Sequence, residues 1–109
     1  MHTVVETPTF IAAAAKAGMT DDERTNAIAM VSADPSAGDM VPGAGGVRKV
    51  RVPGRGKGKW GGYRVLTYYM TEDEPVFLLS VINKSKQANL SASQTSNIKG
   101  LAKELRDER

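Results

Sequence analysis

Hydrophobic and polar positions follow a strand-like pattern in several segments of the chain. Over residues 49–52, two valines alternate with two cationic side chains, which predicts a half-buried strand. Residues 63–70 are rich in aromatic and β-branched side chains and predict a second strand. Residues 76–82 form the most hydrophobic run, which is typical of a strand inside a sheet. Near the amino terminus, residues 3–5 predict one more short strand.

Two helices are predicted between the first strand and the others. Thr7 suits an N-cap, Pro8 suits the first helical position, and Gly18 is placed to end this helix. Residues 20–23, Thr-Asp-Asp-Glu, have the pattern of a capping box and open a second helix. That helix is predicted to stop before Pro35, because proline cannot continue it.

A third helix is predicted near the carboxyl-terminal end. Ser91 and Gln94 have the spacing of a second capping box. Apolar side chains then recur at helical spacing, at positions Ile98, Leu101, Ala102 and Leu105. This pattern predicts an amphipathic helix that packs one face on the rest of the fold.

The order of these elements defines the expected architecture. Residues 34–46 are rich in proline and glycine and predict an internal loop, and the acidic residues 72–75 predict a hairpin turn. The predicted order is βααβββα within a single domain that spans residues 1–109. We therefore expect a small α+β domain with a mostly antiparallel sheet of about four strands and helices against one face.

Composition narrows the function classes. The chain has 109 residues, of which 40% are apolar and 25% charged, as in an ordinary globular domain with one core. It has no cysteine, which excludes disulfides and thiolate metal sites. The single histidine, His2, argues against a zinc site or a histidine-based catalytic pair. No apolar run approaches the roughly 20 residues of a membrane span, and no signal-peptide pattern is present, so we expect a cytoplasmic protein.

Charge is distributed unevenly along the chain. The net charge is +3, but acidic residues cluster at 21–23, 72–74 and 107–108 while cations cluster in the middle. The stretch from Gly46 to Arg64 has no acidic residue and contains Arg48, Lys49, Arg51, Arg55, Lys57, Lys59 and Arg64. Residues 53–62 contain five glycines, Gly62 included, which let the backbone approach a phosphate chain closely. This stretch is therefore expected to bind a polyanion, with RNA as the leading candidate.

Arg64 is the most informative single residue. It lies within a predicted strand, on the same face as Leu66 and Tyr68. A mid-strand arginine is costly to cover unless it is paired or faces a ligand. The structural alternatives are an arginine on an open sheet face and one that is paired with an acid.

A second basic segment follows the neighbouring strand. Lys84 and Lys86 come directly after residues 76–82. If the two strands are antiparallel neighbours, the end of one lies beside the start of the other. We then expect these lysines to lie near Arg64, with the loop lysines Lys57 and Lys59 approaching from the side.

Aromatic side chains accompany these cations. Single-stranded RNA is commonly bound by stacking on aromatic rings beside a basic groove. Core packing is the favoured interpretation for Tyr63 and Tyr69, whereas Trp60 is expected to be exposed in the glycine loop. The candidate RNA-binding residues are Arg48, Lys49, Arg51, Arg55, Trp60 and Tyr68.

Three segments resemble a known family. They are Gly-Gly-Val-Arg-Lys at 45–49, Gly-Lys-Gly-Lys-Trp-Gly-Gly-Tyr-Arg-Val at 56–65, and Val-Ile-Asn-Lys-Ser-Lys-Gln-Ala-Asn-Leu-Ser at 81–91. In combination and in order they resemble the RelE/HigB group of bacterial toxins, which belong to type II toxin–antitoxin systems. The resemblance covers nearly the whole chain and implies a RelE-like α+β fold.

The resemblance also implies an activity and partners. Such toxins are endoribonucleases that cut mRNA in the ribosomal A site, without a metal or other cofactor, and so inhibit translation. The ribose 2′-hydroxyl attacks the adjacent phosphate, and basic side chains take the places usually held by histidines. The implied protein partner is a cognate antitoxin, a small DNA-binding protein, and no membrane partner is implied.

Site residues are carried over by motif. Arg64 matches the family's strand arginine, which holds and neutralises the scissile phosphate. Lys57 and Lys59 match loop lysines that serve base catalysis and charge stabilisation in the transition state. Lys84 or Lys86 matches the basic position after the last strand. Some members add a tyrosine near the carboxyl terminus, and this chain has none after Tyr69.

Two other functions use the same surface. A non-catalytic RNA- or ribosome-binding protein would bind with a steep salt dependence and leave RNA uncut. An inhibitor of a host protein on the same fold would use the basic patch to bind an acidic partner. Positive charge alone does not separate cutting from binding.

Overall fold

The chain forms a mixed sheet with helices on both faces. A computed structural model describes residues 1–54 and 62–108. The elements of the described residues are β1 (Val4–Glu6), α1 (Pro8–Ala17), α2 (Asp21–Ala33), β2 (Asp39–Met40), β3 (Val47–Val52), β4 (Tyr63–Tyr68), β5 (Val76–Asn83) and α3 (Ala92–Asp107). None of the helices in this part of the chain is long and apolar enough to cross a membrane.

The helix boundaries follow the capping residues of the sequence. The Thr7 side chain accepts a hydrogen bond from the backbone N–H of Phe10, and Gly18 ends α1 in the left-handed region at φ 79°. Both predicted capping boxes are present, at Thr20 with Glu23 and at the start of α3. These local contacts satisfy backbone N–H groups that a helix start leaves without a partner.

The sheet has the strand order β1-β5-β4-β3-β2. β1 pairs with β5 in parallel, and the other neighbouring pairs are antiparallel. The predicted hairpin between β4 and β5 is confirmed, and β4 lies at the centre of the sheet. The central place of β4 explains why all six of its residues are buried.

The sheet has five strands in the described residues, where the sequence predicts about four. The additional strand is β2, which pairs with β3 inside the segment predicted as a loop. Two residues are too few to leave a periodic pattern. Gly38, which precedes β2, has φ +93°, and a Cβ atom there would lie 2.4 Å from the carbonyl oxygen of Lys49. The turn therefore requires glycine.

Helices cover both faces of the sheet, and the expectation of one covered face is wrong. α1 and α2 pack on one face around a cluster that includes Phe10, Val31, Val50, Tyr63 and Val65. α3 packs on the other face around Val47, Leu66, Tyr68, Leu79, Ile98 and Ala102. Because successive strand residues point to opposite faces, the buried neighbours Val65 and Leu66 belong to different clusters. A strand buried on both faces gives no alternation from which the second layer could be recognised.

Candidate nucleic-acid interface

Two arginines face each other across the centre of the sheet. Arg51 of β3 lies directly opposite Arg64 of β4 in the antiparallel ladder. Directly opposed residues share one face of a sheet, with Cβ atoms about 4.5–5.5 Å apart, and like charges at such positions are destabilising. The pair therefore concentrates positive charge at a position where an anion would relieve the repulsion.

Arg64 is buried, and no acidic residue pairs with it in the part of the chain that the structure describes. Arg64 is 8% exposed, and its Nη1 atom donates a hydrogen bond to the carbonyl oxygen of Tyr63 at 3.2 Å. Within residues 1–54 and 62–108, no carboxylate forms a salt bridge with Arg64 or Arg51. The alternative of an arginine paired with an acid therefore does not hold among the described residues. The guanidinium keeps donors that a bound anion can use.

Burial and the neighbouring arginine both lower the pKa of Arg64. Burial lowers the pKa of Arg64 below its usual value, and the positive charge of Arg51 lowers that pKa further. A guanidinium nevertheless stays charged at neutral pH. The site therefore presents a partly desolvated cation, which attracts a phosphate more strongly than a fully hydrated one.

The arginine pair belongs to a larger basic surface. Lys49 shares the face of Arg51 by alternation along β3, and we term Lys49, Arg51 and Arg64 the cationic sheet surface. The same face is covered by α3 only towards the start of β3, where Val47 is buried. The other end of β3 leaves Arg51 exposed. Arg51 is therefore exposed at this end of the face, Lys49 is half-buried, and Arg64 beside them is buried.

The backbone of the second basic segment begins beside the start of β4. The backbone N–H of Lys84 donates to the carbonyl oxygen of Gly62 at 2.9 Å, which joins the end of β5 to the start of β4. The Lys84 ammonium donates to the carbonyl oxygen of Ala88 at 2.9 Å, so this side chain is hydrogen-bonded within the turn that follows β5. Lys86 is exposed.

Two predicted RNA-binding residues lie away from the cationic sheet surface. Arg48 lies on the opposite face of β3, which it shares with Val50 in the cluster under α1 and α2. Tyr68 is 5% exposed beneath α3, and Arg106 donates a hydrogen bond to its hydroxyl at 3.2 Å. The Tyr68 ring is therefore a core residue and has no free face for stacking, contrary to its predicted role.

Tyr63 and Tyr69 pack in or against the core, which is the interpretation that the sequence favours for both. Tyr63 is 1% exposed, and Tyr69 is half-buried, with its ring centroid 5.0 Å from that of His2. The predicted site residues of the glycine loop lie outside the described residues; they are Arg55, Lys57, Lys59 and Trp60.

A buried acid–tyrosine pair beside Arg64 was not predicted from the sequence. The Tyr63 hydroxyl donates to Glu23 Oε1 at 2.9 Å, and Glu23 is 6% exposed. The backbone N–H of Thr20 donates to the same carboxylate oxygen at 2.9 Å. Burial, the hydrogen bond to Glu23 and the charge of Glu23 together raise the pKa of Tyr63 to about 12. The pair ties the start of β4, one residue before Arg64, to the start of α2.

The buried side chain of Asn83 forms further hydrogen bonds at the same end of the sheet. Its Nδ2 atom donates to the carbonyl oxygen of Ala17 at 2.9 Å, and its Oδ1 atom accepts from the Ser85 backbone and hydroxyl. These bonds fix the end of β5 against α1 and shape the turn that carries Lys84 and Lys86. The capping-box pattern marks Glu23, but no short-range pattern marks contacts between residues so distant in sequence.

Comparison with protein families agrees with the resemblance seen in the sequence. The family model described as the RelE toxin of the RelE/RelB toxin–antitoxin system matches residues 2–109. This range includes every element of the fold and both basic segments. The chain therefore belongs to the RelE toxin family.

Proposed function

We propose that this RelE-family toxin is an endoribonuclease that cuts mRNA in the ribosomal A site and thereby inhibits translation. The observation that carries the proposal is the Arg51–Arg64 pair, in which a buried mid-strand arginine faces a second arginine and has no acidic partner among the described residues. Such an arrangement is costly in an isolated protein and becomes favourable when a phosphate binds.

The proposed reaction needs positioned charge more than a covalent partner. The ribose 2′-oxygen attacks the adjacent phosphorus, the bond from phosphorus to the 5′-oxygen breaks, and a 2′,3′-cyclic phosphate remains. One proton leaves the 2′-hydroxyl and one proton is delivered to the departing 5′-oxygen. Negative charge builds on the non-bridging oxygens, where Arg64 and Arg51 stabilise it as fixed donors.

The resemblance supplies the candidates for proton transfer. Lys57 and Lys59 are the proposed base and charge-stabilising residues, and Lys84 or Lys86 is the second basic position. A lysine acts as a base only after it loses its proton, and crowding among cations lowers a lysine pKa in that direction. The arginines of the cationic sheet surface provide such crowding beside any lysine that approaches the same phosphate.

The partners of the family extend the proposal. We propose that a RelB-type antitoxin, a small DNA-binding protein, neutralises this chain, and that the chain acts in the cytoplasm, where ribosomes translate mRNA. An antitoxin that covers the cationic sheet surface would need acidic or phosphate-like groups there, since the surface carries only positive charge.

Induced expression in cells tests the proposal. Primer extension on an abundant mRNA would compare the natural sequence with Arg64→Ala, and Arg48→Ala is the matched control because Arg48 lies on the opposite face of β3. We expect growth arrest and new in-frame cuts for the natural sequence and for Arg48→Ala, and neither for Arg64→Ala. Arrest without any cuts would favour a ribosome-binding protein or a host-protein inhibitor instead.

A further inference from the structure

A groove opens along the free edge of β5. β1 pairs with β5 only over Val76–Leu78, and no other described strand continues that pairing. Beyond Leu78, the edge of β5 faces a groove of about 350 Å³, which lies between the end of α1, the turn after β5 and the first turn of α3. We term this space the β5 edge groove. Its volume falls at the lower end of the range of small-molecule sites.

The lining of the β5 edge groove combines three kinds of group. Its apolar wall includes Ala13, Ala17, Val81 and Ile82. Two lysines line it, Lys16 at the last turn of α1 and Lys86 after β5. Apolar surface beside two cations suits a ligand that has a flat ring and a phosphate.

Amide side chains supply both donors and acceptors in the groove. Gln87 and Gln94 line it, and their amides are hydrogen-bonded to each other. Gln94 is held by the capping box of α3, and Gln87 also donates to the carbonyl oxygen of Asn89 at 2.8 Å. Anchored amides of this kind recognise nucleobase edges, which also present donors and acceptors.

The groove adjoins the cationic sheet surface. Ile82, which lines the groove, lies directly opposite Arg64 in the ladder between β4 and β5. Neighbouring strands lie about 4.8 Å apart, so β5 alone separates the strand of Arg64 from the groove. An RNA chain with one phosphate on Arg64 can therefore reach the groove with an adjoining nucleotide.

We infer that the β5 edge groove binds a nucleotide of the same RNA strand whose phosphate lies on the cationic sheet surface. The inference rests on the proposed function, because it takes RNA as the ligand of that surface. Lys16 and Lys86 contact the phosphate of this nucleotide, the apolar wall contacts its base, and the Gln87–Gln94 amides read the base edge. Continuity with the arginine pair favours RNA over an acidic segment of a partner protein as the occupant.

Binding of a short and a longer RNA tests this inference separately from the proposed function, because only the longer RNA reaches the groove. Fluorescence anisotropy would measure binding of 2′-O-methyl RNAs of two and five nucleotides, which lack the attacking hydroxyl and stay uncut. The groove variant is Lys16→Ala/Gln87→Ala. Lys99→Ala is the control for lost charge, because its side chain lies near Gly45 before β3 and does not line the groove.

We expect the groove variant to bind the five-nucleotide RNA about 30-fold more weakly, the scale of a lost charge-assisted contact together with a lost amide contact. The dinucleotide, which occupies only the cationic sheet surface, should bind the groove variant and the natural protein equally. Lys99→Ala should leave the ratio of the two affinities unchanged. Thermal melting of each variant, together with the milder variant Gln87→Glu, separates loss of binding from loss of folding.

Three outcomes would overturn the inference in distinguishable ways. If the groove variant binds both RNAs as the natural protein does, while Arg64→Gln binds neither, the groove is no RNA site and the proposed function stands. If the natural protein binds neither RNA, the inference fails, and cleavage on ribosomes decides the proposed function separately. If a polyglutamate peptide loses affinity for the groove variant while RNA does not, the groove is a docking site for an acidic protein.

Discussion

The hydroxyl of Tyr63 is expected to stabilise the folded protein and to impose a pH limit on that stability. It donates to the buried carboxylate of Glu23 at 2.9 Å. Tyr63→Phe keeps the ring in its place and removes only this donor. Hydrogen bonds to charged groups contribute about 1.5–3 kcal/mol, and we expect the free energy of unfolding at pH 7 to fall by that amount. For a domain of roughly 100 residues, this corresponds to a melting temperature lower by about 6–20 °C.

The pKa of Tyr63 gives the direction of the pH effect. The pKa is raised to about 12 in the folded protein, so the folded state holds the phenolic proton more tightly than the unfolded chain does. This stabilisation is complete below the ordinary tyrosine pKa of about 10 and is lost as the pH rises towards 12. A shift of about two pKa units corresponds to roughly 3 kcal/mol. The natural protein should therefore lose stability in this window, relative to Tyr63→Phe.

Urea unfolding of both proteins between pH 7 and pH 11.5 measures this difference. All other ionisable groups are the same in both proteins, so subtracting one curve from the other isolates Tyr63. The difference in the free energy of unfolding between the two proteins should be clear at pH 7 and should shrink above pH 9. A difference near zero at pH 7, or one that stays constant from pH 9 to pH 11.5, would refute a buried hydrogen bond between Tyr63 and Glu23 at the start of β4.

Further predictions concern the sheet and the site. Arg51→Ala should slow RNA cleavage by about tenfold or more and leave stability unchanged or higher by up to about 1 kcal/mol, because it removes a cross-strand repulsion; cleavage assays and urea unfolding measure the two effects. Leu66→Ala should cost about 2–5 kcal/mol in urea unfolding, since Leu66 is fully buried beneath α3, and unchanged stability would contradict that packing. Gly38→Ala should lower the melting temperature, because its Cβ atom would lie 2.4 Å from the carbonyl oxygen of Lys49.

Short-range features of the fold could be predicted from the sequence. Thr20 and Glu23 cap α2 as their spacing predicts, and Ser91 caps α3. The acidic turn joins β4 to β5, and this hairpin brings Lys84 beside the start of β4. Each of these features depends on residues within one element or on two consecutive strands, so the information is local.

Features that depend on tertiary contacts could not be predicted in the same way. The sequence of β4 does not show that α3 covers the second face of the sheet. Every residue of β4 is buried, so its hydrophobic pattern does not distinguish one face from the other. The contact between Tyr63 and Glu23 joins distant segments and depends on how α2 packs on the sheet. Burial of Tyr68 follows from the position of α3, which the one-face expectation did not include.

The placement of Arg48 differs from these cases, because the sequence does contain the signal. Arg48 and Arg51 are three residues apart in β3, so strand alternation puts their side chains on opposite faces. Charge density alone groups them as one patch. Strand alternation separates them and leaves Arg51 as the partner of Arg64.

Cleavage of a defined mRNA on purified ribosomes tests the central claim most directly. The rate of cutting under single-turnover conditions would be compared for the natural protein, Arg64→Lys and the control Arg48→Lys. Lysine keeps the charge but loses the planar fork of donors, so Arg64→Lys should cut about 100-fold or more slowly while Arg48→Lys cuts at the natural rate. If Arg64→Lys folds and cuts as fast as the natural protein, Arg64 does not stabilise the transition state and the proposed site is wrong.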